Sequence, residues 1–291
     1  MITVLLSFLM VLFSNAPSLN HDRDPSSPFI TGDTFRNFCD HVYDETTPGF
    51  NPKKVRPYDT VFVKTDHDHL GFFFNVYHSK IRCPYILVTH NSDHGIPGPY
   101  SHFLDDPKIV AWFGQNAENY SHPKLIPIPI GIANKYWTHG NTETFLNAVE
   151  SIDKLERSIL LYMNINVSTY PNERTLVYNL FKKEPYCYVS PPKDHAAYLN
   201  DLLSSNFVLS PRGNGIDCHR TWEALLMGAY PIVRASSLDP MYKDLPVVIV
   251  EDWKEVTEEF LKAKYAEMIL KKYNWDKAYV QYWLDLIESY K

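Results

Sequence analysis

The sequence lacks the features that mark several classes of protein. Its four cysteines in 291 residues, Cys39, Cys83, Cys187 and Cys218, are widely scattered, so they form neither a CxxC metal or redox motif nor a disulfide framework. It contains no HExxH motif, internal repeat or low-complexity tract. With a formal net charge of -6, it also lacks the clustered basic residues that bind nucleic acid, and we expect no nucleic-acid partner.

An apolar run near the N-terminus, ITVLLSFLMVLF at residues 2–13, is shorter than the about 20 residues that span a bilayer. Small residues follow it, a pattern typical of a cleaved signal peptide, here residues 1–20. No Lys or Arg precedes the run, so a short membrane anchor and a buried strand are the alternatives. Either leader predicts a location in the secretory-pathway lumen or periplasm, and the anchor also predicts membrane association. The sequons at Asn119 and Asn166 would be glycosylated in a eukaryotic secretory pathway.

The length fits two modest α/β domains better than one. A polar, Pro-rich linker ends near Phe29, where we expect the fold to begin. Continuous apolar runs indicate strands covered on both faces, at residues 60–64, 85–89, 109–113 and 125–130. The polar, helix-prone segment 142–157 marks the boundary, which gives domains at residues 29–150 and 151–291.

The second half alternates between strands and helices. We predict strands at residues 158–163, 186–189, 207–210, 230–233 and 247–250, and helices at 172–183, 194–204, 218–227 and after Trp253. This alternation with short connections predicts a parallel sheet wrapped by helices. Ligands bind beyond the carboxyl ends of strands in such sheets, and the richest loop there follows Ser210.

That loop and the following helix read SPRGNGIDCHRTWEALLMGAYPIV, residues 210–233. Gly213 and Gly215 permit a left-handed backbone and close approach of a ligand, so Gly213 and Asn214 are candidate donor-binding residues. Asp217 is expected to cap the helix. The free amides at the helix N-terminus then form a site for a diphosphate.

Charged residues near this helix add to the site. Trp222, Leu225, Leu226 and Ala229 share one face, which predicts a buried stripe. Arg220 and Glu223 lie on the other side, three residues apart, so Arg220 can contact a diphosphate while Glu223 contacts a ribose hydroxyl. A solvated ion pair is the alternative. Arg212 and Arg174 are further candidates for phosphate contacts, although Arg174 is equally well explained as a surface charge.

Three motifs of this segment together resemble the exostosin-like glycosyltransferase family: Pro-Arg-Gly at residues 211–213, Arg-x-x-Glu-Ala at 220–224 and Gly-x-x-Pro-Ile-Val at 228–233. The resemblance covers residues 207–253 most specifically. It implies a GT-B-like α/β fold with two Rossmann-like domains, parallel sheets and a C-terminal helix that crosses back onto the first domain. It also implies transfer from a nucleotide-sugar, UDP-sugar rather than GDP-sugar, to a glycan acceptor, with no metal or other cofactor required.

In retaining GT-B enzymes an acidic residue precedes the helix glutamate by eight positions, and here that position is Gly215. The resemblance therefore favours an inverting mechanism, which needs a general base for the acceptor hydroxyl. Asp93 and His90 are candidates, because their loop leaves an apolar strand toward the expected cleft.

Two alternative functions remain open at this stage. The His/Asp-rich loops at residues 65–69 and 89–94 have donor types that suit Zn²⁺, which would make the protein a metal-dependent hydrolase. A non-catalytic sugar-binding protein of the same fold is the other alternative. The last forty residues are expected to be helical, and their aromatic residues to pack on the first domain: Tyr273, Trp275, Tyr279, Tyr282 and Trp283.

Overall fold

The computed structural model describes residues 23–118, 121–154 and 156–291. The expected signal peptide lies outside these ranges, as does most of the Asn119 sequon. Among the described helices, none has both the length and the apolar character needed to cross a bilayer.

In the described part of the chain, ten strands form two parallel sheets of five. The first sheet contains, in spatial order, β1 (His41–Tyr43), β2 (Thr60–Lys64), β3 (Tyr85–His90), β4 (Ile109–Gly114) and β5 (Leu125–Pro127). The second has the order β10-β9-β8-β6-β7 and contains β6 (Ile159–Met163), β7 (Cys187–Val189), β8 (Ser205–Leu209), β9 (Tyr230–Arg234) and β10 (Val248–Val250). All neighbouring strands in both sheets are parallel. The prediction of two Rossmann-like α/β domains with parallel sheets is confirmed.

The α-helices in the described part of the chain are α1 (Gly32–Phe38), α2 (His67–Phe72), α3 (Thr142–Val149), α4 (Pro171–Phe181), α5 (His195–Leu203), α6 (His219–Leu226), α7 (Asp239–Tyr242), α8 (Glu258–Met268) and α9 (Val280–Glu288). Several begin at a polar side chain that accepts a hydrogen bond from a first-turn backbone N–H. Asp66 caps α2, Asp194 caps α5 and Thr257 caps α8 in this way. These caps satisfy amide groups that a helix start otherwise leaves without an acceptor.

The order of the second sheet determines where a ligand can bind. Its strands follow the doubly wound order 2-1-3-4-5, and the direction of winding reverses between β6 and β8. These two strands pair directly, with Leu161 opposite Phe207. The connections on their two sides diverge at such a reversal and leave a crevice beyond the carboxyl ends. The loops after Met163 and Leu209 therefore open onto one crevice.

The first sheet has no such reversal, because its strands follow chain order. Right-handed crossovers between strands in this order put their connections on one face of the sheet. Helix α1 packs on β3, and α9 packs on α1. Both ends of the described chain thus complete the first domain.

The C-terminal helix crosses back onto the first domain, as expected. Trp283, Leu284 and Ile287 are buried in the core that surrounds the first sheet, and the rings of Tyr290 and Phe113 meet at 5.3 Å. Of the aromatic residues expected to make this contact, Tyr279, Tyr282 and Trp283 pack against this core, whereas Tyr273 packs against the core of the second sheet.

Helix α6 is shared between two cores. Trp222 and Leu225 pack into the core of the first sheet, while Leu226 packs with α3 and α5 in a second core. The predicted buried stripe is confirmed, but burial extends further around the helix, because Glu223 is also only 6% exposed. The helix is thus fixed by both halves of the molecule.

Candidate functional site

A cleft of about 760 Å³ opens beyond the carboxyl ends of β6 and β8. One wall consists of the loop and first turns of α6, residues 213–223, together with the start of α5. Residues of the first half complete the opposite side: Asp93, Ile130, Thr138 and His139. The cleft thus lies at the switch point of the second sheet and between the two halves of the chain.

Arg220 is the second residue of α6 and lines this cleft. Its Nε is buried without a hydrogen-bond partner, and no carboxylate in the described ranges forms an ion pair with its guanidinium. The Arg220–Glu223 ion pair considered from spacing is therefore not formed. The backbone N–H groups of His219 and Arg220 likewise have no protein acceptor in this part of the chain. A guanidinium and a positive helix end together favour an anion here.

Arg174, near the start of α4, lines the same cleft. Its Nε donates to the carbonyl oxygen of Arg212 at 2.8 Å, and Nη1 donates to that of Asn166 at 3.0 Å. Burial and the nearby charge of Arg220 lower the pKa of Arg174. Arg174 is therefore a buried cation that holds the loop in place, not the surface charge of the alternative interpretation.

Glu223 lies one turn after Arg220 and lines the cleft. Its Oε2 accepts a hydrogen bond of 2.8 Å from the hydroxyl of Tyr198 on α5. Oε1 has no donor among the described residues. The carboxylate is therefore fixed on one side and open to a ligand donor on the other.

The prediction that Asp217 caps α6 is wrong. The N-cap is Cys218, which makes no side-chain capping bond. The carboxylate of Asp217 accepts instead from the backbone N–H of Ile130 at 2.8 Å and from the indole of Trp222 at 2.9 Å. Burial raises the pKa of Asp217. Asp217 thus ties α6 to the first half, and the helix end stays free for a ligand.

Gly213 and Gly215 are required in the loop for a reason other than the left-handed backbone that was expected. Neither Gly213 nor Gly215 has a positive φ, so the expectation of a left-handed backbone is wrong. A Cβ at Gly215 would lie 2.4 Å from Nδ2 of Asn116, and one at Gly213 would lie 3.2 Å from Nη2 of Arg174. Glycine is needed because neighbouring side chains pack directly against the loop backbone.

Arg212 is not brought into the cleft. Its guanidinium lies 4.6 Å from the ring centroid of Tyr170, and Nη2 is 3.6 Å from Oε1 of Glu118. The same group donates to the carbonyl oxygen of Asn214 at 2.9 Å. The side chain of Asn214 does line the cleft, and it donates to Oδ2 of Asp93 at 3.1 Å.

The two candidate bases differ in their surroundings. His90 is 2% exposed, its Nε2–H donates to the carbonyl oxygen of Pro129, and its Nδ1 accepts from the backbone N–H of Asn91. Burial lowers the pKa of His90 to about 4, so the ring is neutral with both nitrogens occupied. This placement removes His90 as a candidate base. Asp93 is exposed and lines the cleft, so only Asp93 is positioned to meet a substrate.

The two His/Asp-rich loops do not converge on a metal site. Asp66 caps α2 and also accepts a hydrogen bond of 2.7 Å from Nδ1 of His69. The nitrogens of His90 are occupied as described above. Over the described ranges, no group of three or more His, Cys, Asp or Glu residues is arranged to hold a metal ion. The hydrolase alternative therefore lacks the ligand set on which it depended.

Sequence reasoning missed several residues that line the cleft: His139, Lys193, His195, Tyr198 and His219. Nδ1–H of His219 donates to the carbonyl oxygen of Gly131 at 2.7 Å, which leaves Nε2 as an acceptor. Both ring nitrogens of His195 are buried without a partner. Of these residues, His219 could have been predicted to lie in the cleft, because it is adjacent to Arg220 in the sequence. The other residues come from separate segments of the chain, and no local pattern links them to the cleft.

No family model matches the chain, and no curated protein matches its sequence. Among solved structures, an alpha1,3-fucosyltransferase is similar at 11% identity over 82% of this chain and 78% of that chain, with a TM-score of 0.45. A glycosyltransferase from Rickettsia africae ESF-5 is similar at 11% identity over 80% and 76%, with a TM-score of 0.39. The UDP-GlcNAc 2-epimerase from Methanocaldococcus jannaschii is similar at 12% identity over 76% and 72%, with a TM-score of 0.34. The exostosin-like resemblance therefore rests on the sequence motifs, most specifically those of residues 207–253.

Proposed function

We propose that this protein is a glycosyltransferase that transfers a sugar from a nucleoside diphosphate donor to a glycan acceptor. The observation that carries the proposal is Arg220, a guanidinium without an acidic partner at the free N-terminus of α6, inside the cleft at the switch point. A diphosphate fits this position, because it accepts hydrogen bonds from both the guanidinium fork and the free helix amides. Arg174 adds a second positive charge nearby.

Glu223 supports a nucleotide rather than a simple phosphate ester as the ligand. The carboxylate lies one helical turn beyond Arg220, and its open oxygen is an acceptor for ribose hydroxyl groups. A nucleotide with its diphosphate at the helix end and its ribose beside Glu223 satisfies both residues. From the exostosin-like motifs we propose a UDP-sugar as the donor.

For the transfer step we propose inversion without a bound metal. Asp93 removes the proton of the acceptor hydroxyl as that oxygen attacks the anomeric carbon. The bond between the anomeric carbon and the diphosphate breaks, and the negative charge passes to the leaving oxygen. Arg220 and the helix end stabilise that charge. Gly215, in the place of the acidic residue of retaining enzymes, supports inversion, and a Cβ there would lie 2.4 Å from Nδ2 of Asn116.

The proposal is tested by thermal unfolding of the full chain with and without UDP and GDP. A ligand that binds only the folded state raises its stability. We expect a shift with the wild type and with Arg56→Ala, a control at an exposed arginine of the first half, and no shift with Arg220→Ala. Release of UDP from UDP-sugars in the presence of glycans then separates an enzyme from a non-catalytic binding protein. A wild type that responds to neither nucleotide contradicts the proposal.

We also propose that the chain acts in the secretory-pathway lumen or periplasm, with its folded domains at residues 29–150 and 151–291. The location follows from residues 1–20 alone. Retention of the N-terminal segment on the mature protein, measured by intact mass, distinguishes a membrane anchor from a cleaved signal peptide.

A further inference from the structure

A separate cavity of about 520 Å³ lies in the first half of the chain, and none of its lining residues lines the cleft. Its lining includes three basic and two aromatic side chains: Lys53, Lys80, Arg82, Phe50 and Tyr77. We call it the basic cavity. Its volume falls within the range of about 300–1,000 Å³ that is typical of small-molecule sites.

The basic cavity and the proposed base lie at opposite ends of strand β3. Arg82 precedes the amino end of β3, and Asp93 follows its carboxyl end. The strand has six residues and is about 20 Å long at roughly 3.3 Å per residue. A ligand in the basic cavity therefore does not compete with a substrate at Asp93.

The basic side chains of this cavity have no acidic partners. Lys53, Lys80 and Arg82 are exposed, and none of them forms an ion pair with a carboxylate of the described residues. No Asp or Glu is among the residues that line the cavity. The whole chain has a formal net charge of -6, so this local excess of positive charge is not a general property of its surface. Unpaired cations around a concave surface favour an anionic ligand.

Two aromatic rings line the basic cavity beside these cations. The rings of Phe50 and Tyr77 lie 5.3 Å apart at an interplanar angle of 68°, and the backbone N–H of Phe50 donates to the Tyr77 hydroxyl at 3.5 Å. These two contacts hold the Tyr77 ring in place. Nζ of Lys80 lies 5.9 Å from the centroid of that ring. An anionic group bound by Lys80 is therefore close to an apolar ring face.

An anionic sugar has groups that match both features of the cavity. The C–H groups on one face of its ring pack on aromatic side chains, and its carboxylate or sulfate accepts hydrogen bonds from Lys and Arg. A neutral sugar would use the rings without the cations. We propose that the basic cavity binds a carboxylated or sulfated sugar unit of a glycan. The choice of a glycan among anionic ligands rests on the proposed function.

The test is calorimetric titration of the full chain with sugars in the absence of nucleotide. The ligands are tetragalacturonate, which is carboxylated, sucrose octasulfate, which is sulfated, and maltotetraose, which is neutral. We expect one or both of the anionic sugars to bind more tightly than maltotetraose, and the tighter of the two identifies the anionic group. Their affinity should fall at high ionic strength, because salt screens the attraction between exposed charges.

Matched variants assign the binding to this cavity. Lys80→Glu/Arg82→Glu reverses two of its charges, and Lys182→Glu/Lys183→Glu, at exposed residues of the second half, is the control with the same change in net charge. We expect the first to weaken binding of the anionic sugar by at least roughly tenfold, and the control to bind like the wild type. Tyr77→Leu should weaken it by about 2- to 10-fold, whereas Tyr77→Phe, which keeps the ring, should not. UDP binding should be unchanged in all four variants.

Four outcomes overturn the inference. Failure of both anionic sugars to bind the wild type does so, and so does an equal loss in the two charge-reversed variants, which indicates a general effect of net charge. Wild-type affinity in Tyr77→Leu would show that the cavity holds an anion without contacting a sugar ring. Loss of UDP binding in Lys80→Glu/Arg82→Glu would assign the cavity to a nucleotide. Because the sugar titrations contain no nucleotide, failure of UDP to bind the wild type contradicts the proposed function separately.

Discussion

The hydroxyl of Tyr198 on α5 donates a hydrogen bond of 2.8 Å to Oε2 of Glu223 on α6. Glu223 is 6% exposed, so this donor offsets part of the cost of placing a carboxylate below the surface of the cleft. The contact also fixes the direction in which the open oxygen of Glu223 points. Position and burial of the carboxylate therefore depend on a residue 25 positions earlier in the chain.

Tyr198→Phe should destabilise the protein by about 1–3 kcal/mol, because it leaves a buried carboxylate oxygen without its donor. Glu223→Gln should be milder for folding, since its amide oxygen still accepts from Tyr198. Its neutral amide is a weaker acceptor for ribose hydroxyls, and we expect roughly tenfold weaker UDP binding, about 1.4 kcal/mol. Urea unfolding and UDP titration measure the two effects. Wild-type UDP affinity in Glu223→Gln would remove the ribose role.

Arg220 and Arg174 should give opposite results when each is replaced by alanine. Arg220 has no acceptor to lose within the described structure, so Arg220→Ala should change stability by less than about 0.5 kcal/mol while abolishing nucleotide binding. Arg174→Ala removes the donors that hold the carbonyl oxygens of Arg212 and Asn166, and we expect a loss of about 2–4 kcal/mol. Urea unfolding without ligand ranks the two variants. Greater destabilisation by Arg220→Ala would show that Arg220 is structural.

Acid should destabilise the protein partly through His90. Burial lowers the pKa of His90 from 6.5 to about 4, so between these values the unfolded chain binds the proton that the folded chain excludes. The contribution of His90 to the free energy of unfolding is therefore fully present above pH of about 6.5. It is lost as the pH drops toward about 4, which lowers the free energy of unfolding by up to about 3 kcal/mol.

The measurement is urea unfolding at several pH values for the wild type, His90→Gln and His102→Gln, the last at an exposed histidine. His90→Gln should flatten the dependence between pH of about 4 and 6.5, whereas His102→Gln should keep it. Asp33 and Asp217 have raised pKa values, so their contributions to the pH dependence of stability have the opposite sign. The difference in slope between the wild type and His90→Gln therefore measures the contribution of His90. An unchanged slope in His90→Gln would contradict it.

The sequence predicted elements better than it predicted their surroundings. Strands β2 and β3 were found within a residue of their bounds, because buried parallel strands are continuously apolar. Strand β1 was missed, since its three residues, His41–Tyr43, are only half-buried and too few to show a pattern. The order of strands leaves no local trace in the sequence, and the switch point between β6 and β8 emerged only from the structure.

In the candidate site, too, the sequence predicted which residues share a helix but not the long-range contacts that they make. Arg220 and Glu223 were identified because helical spacing places them together. Arg212 was expected in the cleft, but Tyr170 and Glu118, both distant in sequence, hold it elsewhere. Asp217 was expected to act on its own helix, yet its nearest acceptor bond is to Ile130 in the other half. Long-range partners decide where these polar side chains point, and no local pattern encodes them.

Gly215→Ala should disturb the loop by a clash with Asn116. The added Cβ would lie 2.4 Å from Nδ2 of Asn116, so the side chain or the loop must move, at an expected cost of about 1–3 kcal/mol and with weaker nucleotide binding. Because the clash is pairwise, the same substitution should cost less in an Asn116→Ala background, and urea unfolding of the four proteins measures this coupling. Additive costs would show that the constraint at Gly215 lies elsewhere.

Asp93→Asn tests the proposed general base. The asparagine keeps the shape of the side chain and still offers an oxygen to Asn214, which donates to Oδ2 of Asp93 at 3.1 Å. Binding of UDP and folding should therefore be unchanged, while kcat for glycosyl transfer falls by about 10²- to 10⁴-fold, the usual contribution of a positioned base.

His219→Asn is the matched comparison for Asp93→Asn, because His219 also lines the cleft and its Nε2 has no hydrogen-bond partner among the described residues. His219 lies beside Arg220 at the helix end, so we expect its loss to weaken UDP binding more than it lowers kcat. The reverse pattern, normal kcat in Asp93→Asn and a large loss of kcat with intact UDP binding in His219→Asn, would move the base from the first half of the chain to α6. The mechanism would then draw both its base and its phosphate site from one helix end.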